Sequence, residues 1–195
     1  MTINKFPSIS IVGATGAVGK ICLDILSERK FPSDKINIFA SKKSEGKKIS
    51  YLNKDLIVRE AKKNSFKDSN VVFISADSQV SQDLAPHAVK DGALVIDDGS
   101  AFRMKKDVPL VVPEVNESDI NYHNGIISIP NCTTTPLAMA IHNLRKLANI
   151  NRIQATTYQA VSGSGALAIS ELQSQTENII NNKDVFKSVS PLQIA

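Results

Sequence analysis

The chain has 195 residues, 42% of them hydrophobic and 5% aromatic, and a formal net charge of +4. These values are typical of a soluble α/β protein with one domain, or with one domain and part of a second. The lysines are spread along the chain, so we expect a solvated surface and no nucleic-acid partner. No apolar run approaches the roughly 18 residues of a membrane span, and the N-terminus has no signal-peptide pattern. Two cysteines without metal-site spacing predict neither a disulfide framework nor a metal site, and a cytoplasmic location fits best.

The first motif is a glycine-rich turn between a predicted strand and a predicted helix. SISIVG (8–13) is a β-branched run that indicates a buried strand, and GATGAVGK follows at once. Gly13, Gly16 and Gly19 let the backbone turn sharply and approach a pyrophosphate at the helix N-terminus. The predicted apolar face of that helix consists of Val18, Cys22, Ile25 and Leu26. The pattern predicts a dinucleotide site, with an unliganded strand–helix turn as the alternative.

The end of the second predicted strand, KINIFA (35–40), bears on the choice of cofactor. A unit that prefers NAD carries an acidic residue there, which binds the ribose 2′-hydroxyl. This chain instead has Lys42, Lys43 and Ser44, while Asp34 precedes the strand. The lysines can meet a 2′-phosphate, so the sequence favours NADP, and the alternative is two solvated lysines.

Further strand and helix patterns alternate along the first half of the chain. NVVFISA (70–76) and GALVIDDGSAF (92–102) predict strands, and SQDLAPHAVKDG between them predicts a helix. This alternation predicts a Rossmann-type, doubly wound parallel sheet from about Ile9 to about Ile129. Ligands bind beyond the carboxyl ends of such strands, so Ser75, Asp98 and Arg103 are expected near the cofactor cleft.

Cys132 lies in IPNCTTTPLAMA (129–140), before a run that predicts a helix with one apolar face. Threonines can cap a helix and Pro136 is tolerated in the first turn, so the cysteine falls at or just before a helix N-terminus. The helix dipole and free N–H groups there favour a thiolate, which indicates a nucleophile over a core cysteine.

Four blocks of sequence together resemble aspartate-semialdehyde dehydrogenase. They are SISIVGATGAVGK, VIDDGSAFRMKKDVPLVVPEVN, SIPNCTTTPLAMA and TYQAVSGSGALAISEL, and they span nearly the whole chain. The resemblance implies an NADP-binding Rossmann domain over 1–130, and the start of an α+β catalytic and dimerisation domain over 131–195. It also implies NADPH-dependent reduction of L-aspartyl 4-phosphate to L-aspartate 4-semialdehyde through a cysteine thioester, in a homodimer. The pathway would be biosynthesis of lysine, threonine, methionine and diaminopimelate.

The resemblance also assigns roles to single residues. Cys132 would be the nucleophile and Gln159 would orient the substrate. The anion of aspartyl phosphate or inorganic phosphate would be bound by Arg103 and Asn131. The residues expected to contact the cofactor are Gly13, Thr15, Gly16, Ala17, Val18, Lys43, Ser44, Ser162 and Gly163.

Two departures from the family leave alternatives open. The family's base histidine and substrate-carboxylate arginine match segments beyond Ala195, so a catalytically weak or inactive nucleotide-binding fragment is the first alternative. Dimerisation is also doubtful for a chain of this length. Asp98 and Gly99 stand where the family commonly has Asn-Ser. The second alternative is N-acetylglutamyl-phosphate reductase, against which Asn131 and Thr133 argue, because that family usually has a glycine before its cysteine and an aromatic residue after it.

Overall fold

A computed structural model describes residues 6–195. Residues 1–5, on which the expectation of no signal peptide partly depends, lie outside the described part. The chain forms two compact units, of which the first ends at Arg152 and the second is Ile153–Ala195. The strands are β1 (Ile9–Val12), β2 (Ile36–Ala40), β3 (Lys48–Tyr51), β4 (Lys54–Ile57), β5 (Arg59–Glu60), β6 (Val71–Ile74), β7 (Leu94–Asp97) and β8 (Ile126–Ser128). The helices are α1 (Ala17–Glu28), α2 (Ser78–Lys90), α3 (Pro113–Asn116), α4 (Thr134–Leu144) and α5 (Ala166–Ile180).

Six strands of the first unit form one parallel sheet in the order β5-β2-β1-β6-β7-β8. The chain moves from β1 outward to β2, and later returns to β6 on the other side of β1. The strand order therefore reverses between β1 and β6, the position at which open α/β sheets bind ligands. The predicted doubly wound sheet is confirmed.

Both faces of this sheet are covered by apolar side chains. Ile11 lies in a core cluster with Leu23 of α1, whereas its neighbour Val12 lies in a cluster with Leu84 of α2. Successive strand residues point to opposite faces, so a β-branched run such as ISIV is buried on both sides. This is why the strands could be recognised from sequence.

The core-facing side of α1 differs from the predicted one. Val18 and Ile25 are each 43% exposed, while Gly19 and Leu23 are buried and Cys22 and Leu26 pack partly against the core. The cause is Gly19, since a Cβ on it would lie 2.3 Å from the Gly13 carbonyl oxygen. The helix rests closely on the glycine turn, and its buried stripe is shifted by one residue.

An antiparallel hairpin, β3–β4, is inserted between β2 and β5 and was not predicted. Leu52 and Asn53 at its tip both have positive φ, of 44° and 62°, as a two-residue hairpin turn requires. Neither residue is a glycine, so the sequence lacks the Asn-Gly or Asp-Gly pair that usually predicts such a turn.

The second unit contains a short 3-10 turn, Val161–Ser164, followed by α5 and a C-terminal segment without regular structure. The buried residues of α5 are one alanine and two polar residues, Ala168, Glu171 and Gln175. The predicted boundary between residues 130 and 131 stays a prediction. No helix in the described part of the chain is long and apolar enough to cross a membrane.

Candidate active site

The glycine turn after β1 lies where three strands end. Gly13 has φ of +85°, and a Cβ there would lie 2.0 Å from the carbonyl oxygen of Ser75, at the end of β6. The N–H groups of Gly13 and Ala14 both donate to the Phe39 carbonyl of β2, at 2.9 and 3.1 Å. Only glycine fits at position 13, and the turn is held between β2 and β6, the two neighbours of β1.

The N-terminus of α1 offers uncommitted donors to a ligand. Gly16 precedes the helix, and its N–H donates to the Gly13 carbonyl at 2.9 Å. The next three N–H groups, of residues 17–19, have no acceptor among the described residues, and no side chain caps the helix. The first turn carries no acidic residue, and Gly16, Ala17 and Val18 are exposed. Free N–H groups at a positive helix end fit the pyrophosphate of a dinucleotide.

The segment after β2 presents two lysines. Lys42–Ser44 form a 3-10 turn in which Lys42 and Lys43 are exposed and Ser44 is buried, with 9% of its surface accessible. The lysines are therefore better placed than Ser44 to meet a 2′-phosphate. Asp34 lies in a turn before β2, at the amino end of the strand, where it cannot meet a ribose at the opposite edge.

Two carboxyl groups follow one another at the end of β7. Asp97 is fully buried and accepts a 2.6 Å hydrogen bond from Ser81, while Asp98 accepts one of 3.1 Å from Ser75. Burial raises the pKa of Asp97, and the hydrogen bond from Ser81 opposes that rise. Burial likewise raises the pKa of Asp98, opposed by Ser75 and by the charge of Arg103. The cleft thus holds carboxyl groups that ionise less readily than usual.

Arg103 joins the end of β7 to the segment before Cys132. Its Nε donates to the Ile129 carbonyl at 2.9 Å, and one terminal nitrogen donates to the Asp98 carbonyl at 2.8 Å. These two bonds fix the guanidinium group, and one of them joins it to Ile129, which is three residues before Cys132 in the sequence. The Nη1 side has no acceptor among the described residues and can donate to an anion.

Cys132 is exposed and lies two residues before α4, as the sequence predicted. The side chain of Asn131 organises this position. Its Oδ1 accepts from the Thr133 N–H at 2.9 Å and the Thr133 hydroxyl at 2.7 Å, with the Cys132 sulfur 3.8 Å away. Asn131 therefore orients the thiol in addition to any contact its amide nitrogen makes with an anion.

The N–H groups at the start of α4 are less available than the sequence suggested. Those of Thr134 and Thr135 donate to the Asn131 carbonyl at 2.9 and 3.1 Å, and Pro136 has none. With the Thr133 N–H also bonded to Asn131, these N–H groups, which were expected to favour a thiolate, already have acceptors. The Cys132 N–H is the exception, because it has no acceptor within residues 6–195.

None of the three histidines contacts the cysteine. His142 lies in the last turn of α4 and His87 in the last turn of α2, while His123 accepts the Gly125 N–H at Nδ1. The described residues therefore place no imidazole to take the thiol proton.

In the second unit, Gln159, Ser162 and Gly163 lie around the 3-10 turn. A Cβ on Gly163 would meet the Gln159 amide nitrogen at 2.3 Å, so the amide lies directly on this glycine. Gln159 also lines an open cavity of about 520 Å³ together with Ser164 and Leu172.

The parallel sheet, the uncapped glycine turn and the exposed cysteine define the class of nucleotide-dependent oxidoreductases with a Rossmann-type domain. Residues 8–123 match the family model "Semialdehyde dehydrogenase, NAD binding domain", and residues 141–195 match "Semialdehyde dehydrogenase, dimerisation domain". The chain belongs to the semialdehyde dehydrogenase family.

Individual relatives agree with this assignment. Aspartate-semialdehyde dehydrogenase of Bacillus subtilis is 46% identical over 185 residues, which cover 95% of this chain and 54% of the relative. The structure of aspartate semialdehyde dehydrogenase II from Vibrio cholerae, complexed with ASA, has a TM-score of 0.87 at 38% identity, covering 97% of this chain and 57% of that one. The enzyme from Candida albicans with NADP has a TM-score of 0.58 at 28% identity, covering 72% and 47%. The chain thus spans about half the length of the relatives it matches.

Sequence reasoning missed two features of the site. The first is the turn in which the Asn131 side chain accepts the N–H of Thr133, two residues later. Asparagine commonly forms such a turn, so the sequence did contain a signal for it. The contact between Ser75 and Asp98 had no such signal, because it joins residues 23 apart through strand pairing.

Proposed function

We propose that the chain carries the nucleotide-binding and nucleophilic half of an aspartate-semialdehyde dehydrogenase. The reaction would be NADPH-dependent reduction of L-aspartyl 4-phosphate to L-aspartate 4-semialdehyde, with release of phosphate. The observation that carries the proposal is the exposed Cys132, whose thiol is oriented by Asn131. Arg103 is held nearby in the sequence, because it donates to the carbonyl of Ile129, three residues before the cysteine.

The covalent step would use Cys132 as the nucleophile. Its thiolate attacks the acyl carbon, a carbon–sulfur bond forms, and the bond from carbon to the phosphate oxygen breaks. Arg103 donates its free N–H groups to the phosphate as negative charge builds on the departing oxygen. The Cys132 N–H is the backbone donor left for the oxyanion.

The cofactor would lie across the carboxyl edge of the sheet. When bound, NADPH supplies the hydride that converts the thioester to the aldehyde. Thr15, Gly16, Ala17 and Val18 would hold its pyrophosphate, and Lys42 and Lys43 its 2′-phosphate. Ser44 is buried and the two lysines are exposed, so Lys42 and Lys43 are better placed than Ser44 to contact this phosphate.

Substrate and partner contacts of the second unit belong to the same proposal. Gln159 would orient the substrate, and Ser162 and Gly163 would contact the cofactor. A homodimer through the dimerisation domain is the assembly expected of the family.

The experiment compares the purified chain with Cys132→Ser in the presence of L-aspartate 4-semialdehyde and NADP. We expect an aspartyl thioester on the Cys132 peptide, detected by mass spectrometry, and little steady-state phosphate-dependent turnover. Among the described residues no histidine is placed to take the thiol proton, and general acid–base help is worth about 10²–10⁴-fold. We therefore expect slow repeated turnover, while a single acylation of Cys132 can still be detected.

The outcomes separate the alternatives. NADP binding with neither adduct nor turnover would support the non-catalytic fragment and contradict our proposal. An adduct formed with N-acetylglutamate semialdehyde instead would favour the reductase of that substrate. Robust turnover lost in Cys132→Ser would show that a group within these 195 residues does the work of the base.

A further inference from the structure

The cavity beside Gln159 has walls from three parts of the second unit. Gln159 and Ser164 come from the segment before α5, and Leu172 comes from α5 itself. Ser190 and Ile194 come from the C-terminal segment, residues 186–195. This segment contains no helix or strand that would hold it in place.

Glu171 binds one part of the C-terminal segment. Glu171 is 5% exposed, and its carboxylate accepts hydrogen bonds from three consecutive backbone N–H groups. One oxygen accepts from Ser188 at 2.5 Å and Val189 at 3.2 Å, and the other accepts from Ser190 at 2.8 Å. A buried carboxylate with three N–H partners is a strong, charge-assisted attachment.

Gln175, one helical turn further along α5, binds the remainder. It is 1% exposed, and its Oε1 accepts from Ile194 at 2.9 Å and Ala195 at 3.3 Å. Its Nε2 donates to the Phe186 carbonyl at 3.1 Å. Both cavity residues of the segment, Ser190 and Ile194, are thus held through their own backbone N–H groups.

We propose that Glu171 and Gln175 are positioning residues that hold the C-terminal segment as the wall of the Gln159 cavity. Two large polar side chains occupy the buried face of α5, where apolar residues would pack at lower cost. Their three acceptor oxygens together bind five backbone N–H groups of the segment, those of residues 188–190 and 194–195. As regards the ligand, the inference rests on the proposed function, in which Gln159 orients the substrate.

Glu171→Gln is a selective test because it changes one oxygen of the carboxylate into an amide. The remaining oxygen can keep Ser188 and Val189, but an NH₂ group cannot accept from the Ser190 N–H. The variant should therefore release the cavity wall while keeping the rest of the segment attached. Glu177→Gln is the matched control, because Glu177 is exposed on the same helix.

The experiment uses the full 195-residue chain and three readouts. They are amide hydrogen exchange at Ser190, the NMR signals of the Gln159 side-chain amide, and the dissociation constant of L-aspartate 4-semialdehyde. In Glu171→Gln we expect faster exchange at Ser190 than at Ser188, and shifted Gln159 signals. We expect binding to weaken about tenfold, because a smaller fraction of the chain then has the cavity wall in place. Glu177→Gln should change none of them.

A second variant, Gln175→Ala, keeps the test decisive if Glu171→Gln fails to fold. It should release Ile194 and weaken the same binding while Ser188 stays protected. Unchanged Gln159 signals in a folded variant with a released segment would overturn the proposal. If the unaltered chain binds no semialdehyde, the proposed function fails, whereas exchange and the Gln159 signals still decide the positioning role.

Discussion

At the scale of single residues, the two cysteines have opposite surroundings. Burial raises the pKa of the Cys22 thiol, which packs against the core beneath α1. Cys132 is exposed, and its sulfur lies 3.8 Å from the Asn131 amide oxygen. Alkylation requires that the thiol be ionised and that the reagent reach it, so Cys132 should react with iodoacetamide at least about tenfold faster than Cys22. Peptide mass spectrometry over time measures both rates, and equal rates would contradict the nucleophile assignment.

The lysines after β2 should decide between the two dinucleotides. In the double variant Lys42→Glu, Lys43→Glu, we expect NADP binding to weaken at least about tenfold, because charged hydrogen bonds are worth about 1.5–3 kcal/mol. NAD binding should change much less. Isothermal titration with both cofactors measures this.

The control for that test makes the same charge change at the amino-terminal edge of the sheet. Lys35 precedes β2 and Lys67 precedes β6, so replacing both by glutamate leaves the cofactor edge untouched. Tighter binding of NAD than of NADP by the unaltered chain would count against the assignment.

At the scale of elements, the contact between α1 and the glycine turn sets how the helix meets the sheet. A Cβ on Gly19 would lie 2.3 Å from the Gly13 oxygen and 2.6 Å from the Ala14 Cα, both backbone atoms. Gly19→Ala should therefore push the helix away and lower the free energy of unfolding by about 1–3 kcal/mol. Gly16→Ala is the control, since its Cβ would meet only the Gly13 oxygen at 3.2 Å. Urea denaturation compares them, and equal midpoints would contradict the argument.

The attachment of the C-terminal segment to α5 should depend on pH. Hydrogen bonds from Ser188, Ser190 and Val189 lower the pKa of Glu171 below its ordinary value of 4.5. A carboxyl group with a lowered pKa stabilises the folded state above its ordinary pKa, and this contribution is lost as the pH falls through the folded pKa. We expect the Ser190 amide signal to be constant above about pH 5 and to move as the segment is released in acid.

A local NMR readout is needed for this prediction because other carboxyl groups act with the opposite sign. Burial raises the pKa of Asp97, so that group lowers stability as the pH rises from its ordinary pKa through the folded one. Glu171→Gln should abolish the acid transition of the Ser190 signal. A transition that persists in this variant would show that another group controls the segment.

At the scale of the whole molecule, apolar side chains are left exposed on both units. Leu147, after α4, is 84% exposed, and Leu167 and Ile180 of α5 are each 73% exposed. Exposed apolar side chains in this number favour association. We expect the chain to form dimers or larger species at micromolar concentration, measured by light scattering after size exclusion. Leu167→Glu with Ile180→Glu should shift it toward monomer, and a wild-type chain that stays monomeric would contradict this expectation.

The sequence by itself determined the sheet, the glycine turn and the position of Cys132. These features depend on short-range patterns: β-branched runs that alternate faces, glycines at fixed spacing, and Pro136 within a helix's first turn. Neighbouring residues along the chain decide such elements, so they can be recognised one segment at a time.

Only the tertiary structure decided which side chains work together. The shifted stripe of α1 follows from its contact with Gly13, and Arg103 is fixed by carbonyls 5 and 26 residues away. Glu171 reaches donors 17 to 19 residues along the chain. No local pattern encodes these contacts, because the partners meet only after strands have paired and the chain has turned back. A buried carboxylate looks in sequence like any surface glutamate until the structure shows what it holds.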